Sequence, residues 1–449
     1  MADDTIVAIS TPPGRSGIGI VRVSGALTRH VVAKITGGIT KPRQATLRDF
    51  IDGSGEIIDR GIVVRFVAPR SFTGEDVAEF HAHGSLVVLQ LLFEAICAQG
   101  ARPARPGEFT ERAFRHGKID LAQAEAIADL INSRSVRAAR SAMRTMRGEF
   151  SRRTNALIDR LHVARAQLEA SIDFPEDIAP AGIVDDQIAE VTAICETLHK
   201  LGAAGRQGAR LNTGVAVAIV GPPNVGKSTL MNAISGEDKA IVSELPGTTR
   251  DVIECDILMR DIPIRLYDTA GLREADNPIE REGIDRANKV MYDADILLMM
   301  TDTAEVISVH DLLASENLDD FEDKTVFVVH NKIDILGLDP GIEQISGSTH
   351  VFVSARVPSG LDYLRQAVLD DIGLGQIEEN EFVARERHLA ALAAASAELG
   401  GVNRQMVNDS PEIVAECYRR AARYLSEISG AYSTEDMLGE IFSRFCIGK

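Results

Sequence analysis

The rhythm of apolar and polar positions changes three times along this chain. Up to Lys118, short apolar stretches alternate with turn residues: Thr5–Ser10, Gly17–Val23, Ile57–Val67 and Val77–His81 are predicted strands. Ser85–Ala98 carries Leu86, Leu89, Leu92, Phe93 and Ile96 at helical spacing and is a predicted amphipathic helix. From Ile119 the texture becomes helical. Ile119–Leu130 and residues 133–172 place apolar residues every three or four positions, with no proline before Pro175. Phe174-Pro-Glu-Asp-Ile178 breaks this pattern, and Ile188, Val191, Ile194, Leu198 and Leu201 mark one face of a further helix. Gly202-Ala-Ala-Gly-Arg-Gln-Gly208 reads as a helix end followed by a linker. Beyond it come compact apolar runs typical of buried strands: Val215–Val220, Ile264–Tyr267, Val326–Val329 and Val351–Val353. Helical spacing returns in Phe382–Leu399 and Ile413–Ile428. It ends in Met437–Phe445, preceded by the capping-box pattern Ser433-Thr-Glu-Asp436.

These textures predict an α+β N-terminal domain over residues 1–118. They also predict an α-helical domain in two parts, 119–210 and 376–449, into which an α/β module, 211–375, is inserted. With 449 residues, 45% of them hydrophobic, the chain can bury two or three cores. Its formal net charge of −18 argues against coating nucleic acid unaided, while leaving room for RNA on a local patch or on a partner. The five cysteines (Cys97, Cys195, Cys255, Cys417, Cys446) form no C-x-x-C pair and have no histidine at zinc spacing, which fits reduced thiols in a cytoplasmic protein. Met-Ala-Asp-Asp lacks the basic start of a signal peptide, and no apolar run has membrane-spanning length, so no membrane association is expected. Gly17-Ile-Gly19 lacks the rest of a dinucleotide fingerprint and reads as a turn.

The chemistry concentrates in the inserted module. Gly221-Pro-Pro-Asn-Val-Gly-Lys-Ser228 has G-x-x-x-x-G-K-S spacing between a strand and a helix. Backbone N–H groups of Asn224, Val225 and Gly226 through Thr229 can cradle phosphates, Lys227 can reach the β/γ-phosphates and Ser228 can ligate Mg²⁺. Asp268-Thr269-Ala270-Gly271 ends an apolar run; its Asp can hold Mg²⁺ through water and the Gly271 N–H can meet the γ-phosphate. Asn331-Lys332-Ile-Asp334 follows another strand, and a carboxylate there accepts the N1–H and N2 amino hydrogens of guanine. Ser354-Ala355-Arg356 can offer a backbone N–H to guanine O6. Each short motif recurs by chance. All four in this order, each at the carboxyl end of a strand, indicate GTP rather than ATP.

Two departures bear on hydrolysis. Leu272 stands where Ras-like proteins place a water-orienting glutamine, so that role falls to a carboxylate among Glu274, Asp276, Glu280 and Glu282, with spacing alone favouring none. Asn224 puts a side-chain carbonyl beside the triphosphate, suited either to a K⁺ ion or simply to a tight loop. In Gly247-Thr248-Thr249-Arg250-Asp251, Thr249 can ligate Mg²⁺ when GTP is bound, which makes this loop the switch.

The chain closely resembles the MnmE (TrmE) family of tRNA modification GTPases. The residues that carry the resemblance are Thr11-Pro-Pro-Gly14, Arg105-Pro-Gly-Glu-Phe109, Asp120-Leu-Ala-Gln-Ala-Glu-Ala126, Gly221–Ser228, Gly247–Asp251, Asp268–Arg273 and the terminal Phe445-Cys-Ile-Gly-Lys449. The resemblance implies a folate-binding N-terminal domain that builds a homodimer, and a partnership with the FAD-dependent protein MnmG in a heterotetramer or larger complex. It implies an aminomethyl-type group installed at C5 of the wobble uridine of tRNA. The one-carbon donor would be a tetrahydrofolate derivative (5,10-methylene- or 5-formyl-). It also implies K⁺-stimulated GTP hydrolysis as the nucleotide domains dimerise. By residue match, Asn224, Ser243, Leu245 and Thr248 would surround K⁺, Ser228 and Thr249 would hold Mg²⁺, and Glu280 would orient the attacking water. Arg22, Glu79, Lys118 and Lys449 would bind folate, and Cys446 is a candidate thiol for the modification chemistry. A different reading, a regulatory GTP switch in ribosome assembly, predicts a basic RNA-binding extension beside the nucleotide module, and the sequence shows none there.

Overall fold

The computed structural model describes residues 4–173, 180–237, 239–240, 253–268, 289–305, 307–315, 321, 324–357, 359–372, 382–431, 435–443, 445, 447 and 448. Contacts divide the chain into two compact units. One comprises Met1–Ala128, Thr145–Cys195 and Ala394–Lys449; the other comprises Asp129–Arg144 and Glu196–Ala393.

The first unit opens with β1 (Ile6–Ile9), β2 (Ser16–Ser24), α1 (Thr28–Ile35), β3 (Thr46–Ile51), β4 (Ile57–Phe66), β5 (Val77–Gly84), α2 (Leu86–Cys97), β6 (Arg102–Pro103) and α3 (Glu108–Arg115). The sheet order is β3-β4-β5-β2-β1-β6, antiparallel except for the β1–β6 pair. Strand alternation sorts its side chains onto two faces. Val7, Val21, Val23, Val63 and Phe80 join Leu89, Leu92 and Ile96 of α2 in one core, while Ile6 and Ala8 point the other way onto Phe109 of α3. Arg22 and Glu79, out of phase with Val21 and Phe80, therefore share the α3 face.

Helices follow: α4 (Leu121–Asn132), α5 (Val136–Met146), α6 (Glu149–Asp173) and α7 (Pro180–Thr213). The Asp120-Leu-Ala-Gln123 motif closes a capping box, in which the Gln123 amide N–H donates to Asp120 Oδ1 at 2.8 Å and the Asp120 N–H donates to Gln123 Oε1 at 3.0 Å. At the start of α5, Asp261 accepts from the backbone N–H groups of Val136 and Arg137 at 3.3 and 2.9 Å, and Arg134 pairs with Asp256.

Two sequence expectations fail here. Residues 202–208 are not a helix end but the interior of α7, which runs unbroken to Thr213. Glycine weakens a helix by about 1 kcal/mol relative to alanine, and here close packing explains its presence. A Cβ on Gly205 would lie 2.7 Å from the Ala384 Cβ, and one on Gly208 would lie 2.0 Å from the Phe382 carbonyl oxygen. Phe382–Arg385, expected to start a helix, is instead a non-helical segment with Phe382, Val383 and Ala384 buried.

The second unit contains β7 (Val215–Val220), α8 (Lys227–Glu237), β8 (Lys239–Ala240), β9 (Ile253–Met259), β10 (Ile262–Asp268), β11 (Ile296–Thr301), α9 (Val309–Ser315), β12 (Thr325–His330), α10 (Ile333–Leu336), β13 (Gly341–Ile345), β14 (Ser348–Phe352) and α11 (Leu361–Asp371). The sheet order is β13-β14-β12-β11-β7-β10-β9-β8, with β14, β12, β11, β7 and β10 parallel. Central strands are apolar on both faces because both are covered: Val217 and Ile219 enter one core, Ala218 and Val220 another. The chain winds from β7 toward β10 and from β11 toward β12, so the topological switch lies between β7 and β11. The C-terminal helices are α12 (Glu386–Gly400), α13 (Arg404–Asp409), α14 (Pro411–Ser429) and α15 (Glu435–Ser443). Within the first unit α14 packs on α6, Tyr418 donates to Gln187 Oε1 at 2.6 Å, and Leu438 and Phe442 of α15 join Leu121 and Ala124.

Candidate functional site

The loop after β7 sits at the switch point and needs its glycines. Gly221 has φ +144, and an added Cβ would lie 2.5 Å from the Met300 carbonyl oxygen on β11. Gly226 has φ +103, and there a Cβ would lie 2.4 Å from Asn331 Nδ2. Asn224 takes up the left-handed conformation at φ +61, which asparagine tolerates better than most residues. The Lys227 ammonium donates to the carbonyls of Gly221 and Pro222 at 2.7 and 2.8 Å, holding its charge over the loop. Thr229 and Ser228 lie exposed on the first turn of α8.

The other motifs converge on this loop. Asp268, 1% exposed at the end of β10, accepts from Ser228 Oγ at 2.5 Å. Two hard oxygen donors thus meet beside the phosphate loop, the donor chemistry that Mg²⁺ takes. Asn331, buried at the end of β12, ties two loops together: its Nδ2 donates to the Val225 carbonyl at 2.8 Å, and its Oδ1 accepts from the Ala355 N–H at 3.0 Å. Lys332 donates to the Asn224 carbonyl at 2.8 Å. Asp334 accepts from Ser354 Oγ at 2.6 Å, which orients its carboxylate within the guanine-motif loops. Ala355 is buried and Arg356 is exposed. Thr269, Ala270, Gly271, Ser243, Leu245, Thr248, Thr249 and Glu280 lie outside the described residues.

Two contributors escape sequence reasoning. Asp302, just past β11, pairs with Lys332 at 2.7 Å and so steadies the contact between that lysine and the phosphate loop. An aspartate one residue beyond a buried apolar strand is the available signal. His330 is fully buried next to Asn331, 3.0 Å from His350 Nδ1 and stacked on Phe352 with ring centroids 4.6 Å apart. Burial pushes both imidazoles below the ordinary histidine range, so the pair is neutral packing at the strand end.

In the first unit, Arg22 and Glu79 are cross-strand partners with Nη2 and Oε1 2.9 Å apart. The Arg22 guanidinium carbon lies 5.8 Å from the Phe109 ring centroid and 5.9 Å from that of Phe72. The Gly448 carbonyl accepts from Ser10 Oγ at 3.1 Å and lies 3.5 Å from Arg22 Nη1, bringing the chain's C-terminal residues to this spot. Lys118 donates to the Pro69 carbonyl at 2.9 Å, three residues from Phe72. Arg22 and Glu79 are thus together and already paired. Lys449 and Cys446 fall outside the described residues. The Arg105-Pro-Gly-Glu-Phe109 motif is structural: Glu108 accepts from the Arg105 N–H at 2.9 Å, Gly107 has φ +68, and Phe109 is fully buried. Burial alone would raise the Glu108 pKa, but hydrogen bonds from Arg102, the Arg105 backbone and Arg112 hold it down at about 2.

A phosphate loop, a magnesium carboxylate and a guanine-type carboxylate, placed in that order along the carboxyl edge of a doubly wound sheet, define a P-loop GTPase. Comparison with known families narrows the class. The model described as the MnmE helical domain matches residues 121–446, and the one described as the GTP-binding protein TrmE N-terminus matches residues 5–118. The chain is 44% identical to a tRNA modification GTPase MnmE of Coxiella burnetii over 99% of both chains. It is 43% identical to that of Hydrogenovibrio crunogenus, covering 100% of this chain and 99% of the relative. The chain belongs to the MnmE family of tRNA modification GTPases. Among solved structures, the G domain of the T. maritima FeoB iron transporter is 26% identical, covering 35% of this chain and 97% of that one. Its TM-score is 0.26.

Proposed function

We propose that this protein is a K⁺-stimulated GTPase whose nucleotide cycle drives modification of the wobble uridine of tRNA. It would act as a homodimer with the flavoprotein MnmG in the cytoplasm. A methylene-tetrahydrofolate held near Arg22, Glu79, Lys118 and Lys449 would supply the one-carbon unit for an aminomethyl-type group at C5. The observation that carries this reading is a complete set of GTPase motifs on a chain similar over its whole length to proteins named for tRNA modification. Among the described residues no helix is long and apolar enough to cross a membrane. The domain scheme that goes with it is 1–118, 119–210 with 376–449, and 211–375.

Mg²⁺, held by Ser228 and Thr249, would neutralise charge on the β- and γ-phosphate oxygens. Lys227 would bind the same oxygens; its ammonium already sits over the loop, donating to the Gly221 and Pro222 carbonyls. Glu280 orients the attacking water from the segment after Asp268. Replacing Glu280 with alanine is expected to slow single-turnover hydrolysis by about a hundredfold, as loss of a positioned base does, with nucleotide affinity unchanged. Unaltered hydrolysis would reject the assignment. Asn224→Ala is expected to abolish K⁺ stimulation, giving equal rates in KCl and NaCl at the wild-type NaCl level. A variant as fast in KCl as wild type would remove Asn224 from the cation site. Nucleoside analysis of tRNA from a deletion strain tests the whole reading: wobble uridine modified as in the parent strain overturns it.

A further inference from the structure

The charge of this chain is unevenly spread. Against a net −18, the stretch Ser133–Gly148 carries Arg134, Arg137, Arg140, Arg144 and Arg147 and no acidic residue. Folded as α5, this stretch is two-sided. Ala138, Ser141, Ala142 and Thr145 are buried. At about 100° per residue, Arg137 and Arg140 fall close together on the other side, while Arg144, one turn on, is half-buried with its Nε shielded from solvent. Arg140 is exposed and Arg137 half-exposed. Carboxylates near the helix are otherwise engaged. Asp256 pairs with Arg134, Asp261 caps the first backbone N–H groups, and Asp129 pairs with Arg385. Among the described residues, none lies within ion-pair distance of Arg137 or Arg140. A structural role would pair these side chains or replace them with neutral ones, because clustered like charges repel one another.

We propose that the arginine face of α5 is a docking surface for the phosphate backbone of the tRNA substrate. This inference rests on the tRNA-modification reading and adds a location to it. Guanidinium groups match phosphate oxygens with two parallel hydrogen bonds, and a row of them along a rigid helix contacts successive phosphates without reading bases. An otherwise acidic protein repels RNA elsewhere, so an isolated basic strip selects the orientation in which the tRNA arrives.

The test is binding of the full-length protein to an unmodified tRNA transcript across a salt series, comparing wild type with the double variant Arg137→Gln, Arg140→Gln. The expected result is affinity weakened by roughly tenfold to a hundredfold. The slope of log affinity against log salt should also fall by about two, one for each phosphate that the variant leaves unneutralised. GTP hydrolysis and thermal melting should stay at wild-type values, and Arg140→Lys should retain most of the affinity. Unchanged affinity and slope while wild type binds would overturn this surface and leave the tRNA reading standing. No binding by the wild type at low salt would overturn the docking surface and move tRNA binding to the partner. A variant that loses its flavoprotein partner but keeps tRNA would make the strip a protein interface and also overturn the proposal.

Discussion

Exchanging Asp334 for asparagine is expected to weaken GTP binding by two to three orders of magnitude and to turn preference toward xanthosine triphosphate. In the proposed role the Asp334 carboxylate would accept both the N1–H and the N2 amino hydrogens of guanine, two hydrogen bonds to a charged acceptor. Together these are worth about 3–4 kcal/mol, or about 10²–10³ in affinity. Ser354 Oγ already donates to Asp334 Oδ1, so in the variant the side-chain oxygen keeps that position and the amide nitrogen takes the other. Its oxygen can still accept from N1–H, but the nitrogen now faces a second donor on guanine. Xanthine has a carbonyl there, and the pairing is restored. Titration with fluorescent GTP and xanthosine triphosphate analogues reads both effects. Unchanged GTP affinity would move guanine recognition away from this loop.

Replacing Asn331 with alanine should be the most damaging change to the architecture of the nucleotide module. Its amide satisfies the Val225 carbonyl on one side and the Ala355 N–H on the other, and both partner residues are buried. Each backbone group left unsatisfied costs about 1–3 kcal/mol, so the module should lose about 2–6 kcal/mol. At about 2–4 °C per kcal/mol for a unit of this size, the nucleotide-sensitive melting transition should fall by about 4–24 °C. Affinity for GDP and GTP should fall together, because the phosphate and guanine loops come loose from each other. A melting temperature within about 2 °C of wild type would show that these loops hold their places independently.

What can be read from the chain alone divides along physical lines. Strands β7, β10, β12 and β14 announce themselves as compact apolar runs ending in motif residues, and the order of the motifs that follow them is the one phosphate and guanine chemistry calls for. The convergence of Asn331 on Val225 and of Ser228 on Asp268 agrees with that order. Less visible are β3 and α1, in which polar residues are as many as apolar ones. The strand β11 also escapes notice, since its Met-rich run precedes no nucleotide motif, and Asp302 escapes with it. Gly202–Gly208 misleads because glycine weakens a helix locally. The reason for it here, a neighbouring segment pressed against the helix, lies far away in sequence. Arg22 and Glu79 come forward through likeness to a family, and only the sheet register shows them to be neighbours.

That pressed segment also bears on how such a molecule can arise. Gly208 touches Phe382, so the chain leaves the helix for the nucleotide sheet and comes back at nearly the same point. A cassette whose two ends meet can be spliced into a pre-existing bundle, exchanged or deleted without rerouting the host around it. The glycines of α7 are what let those two ends come together.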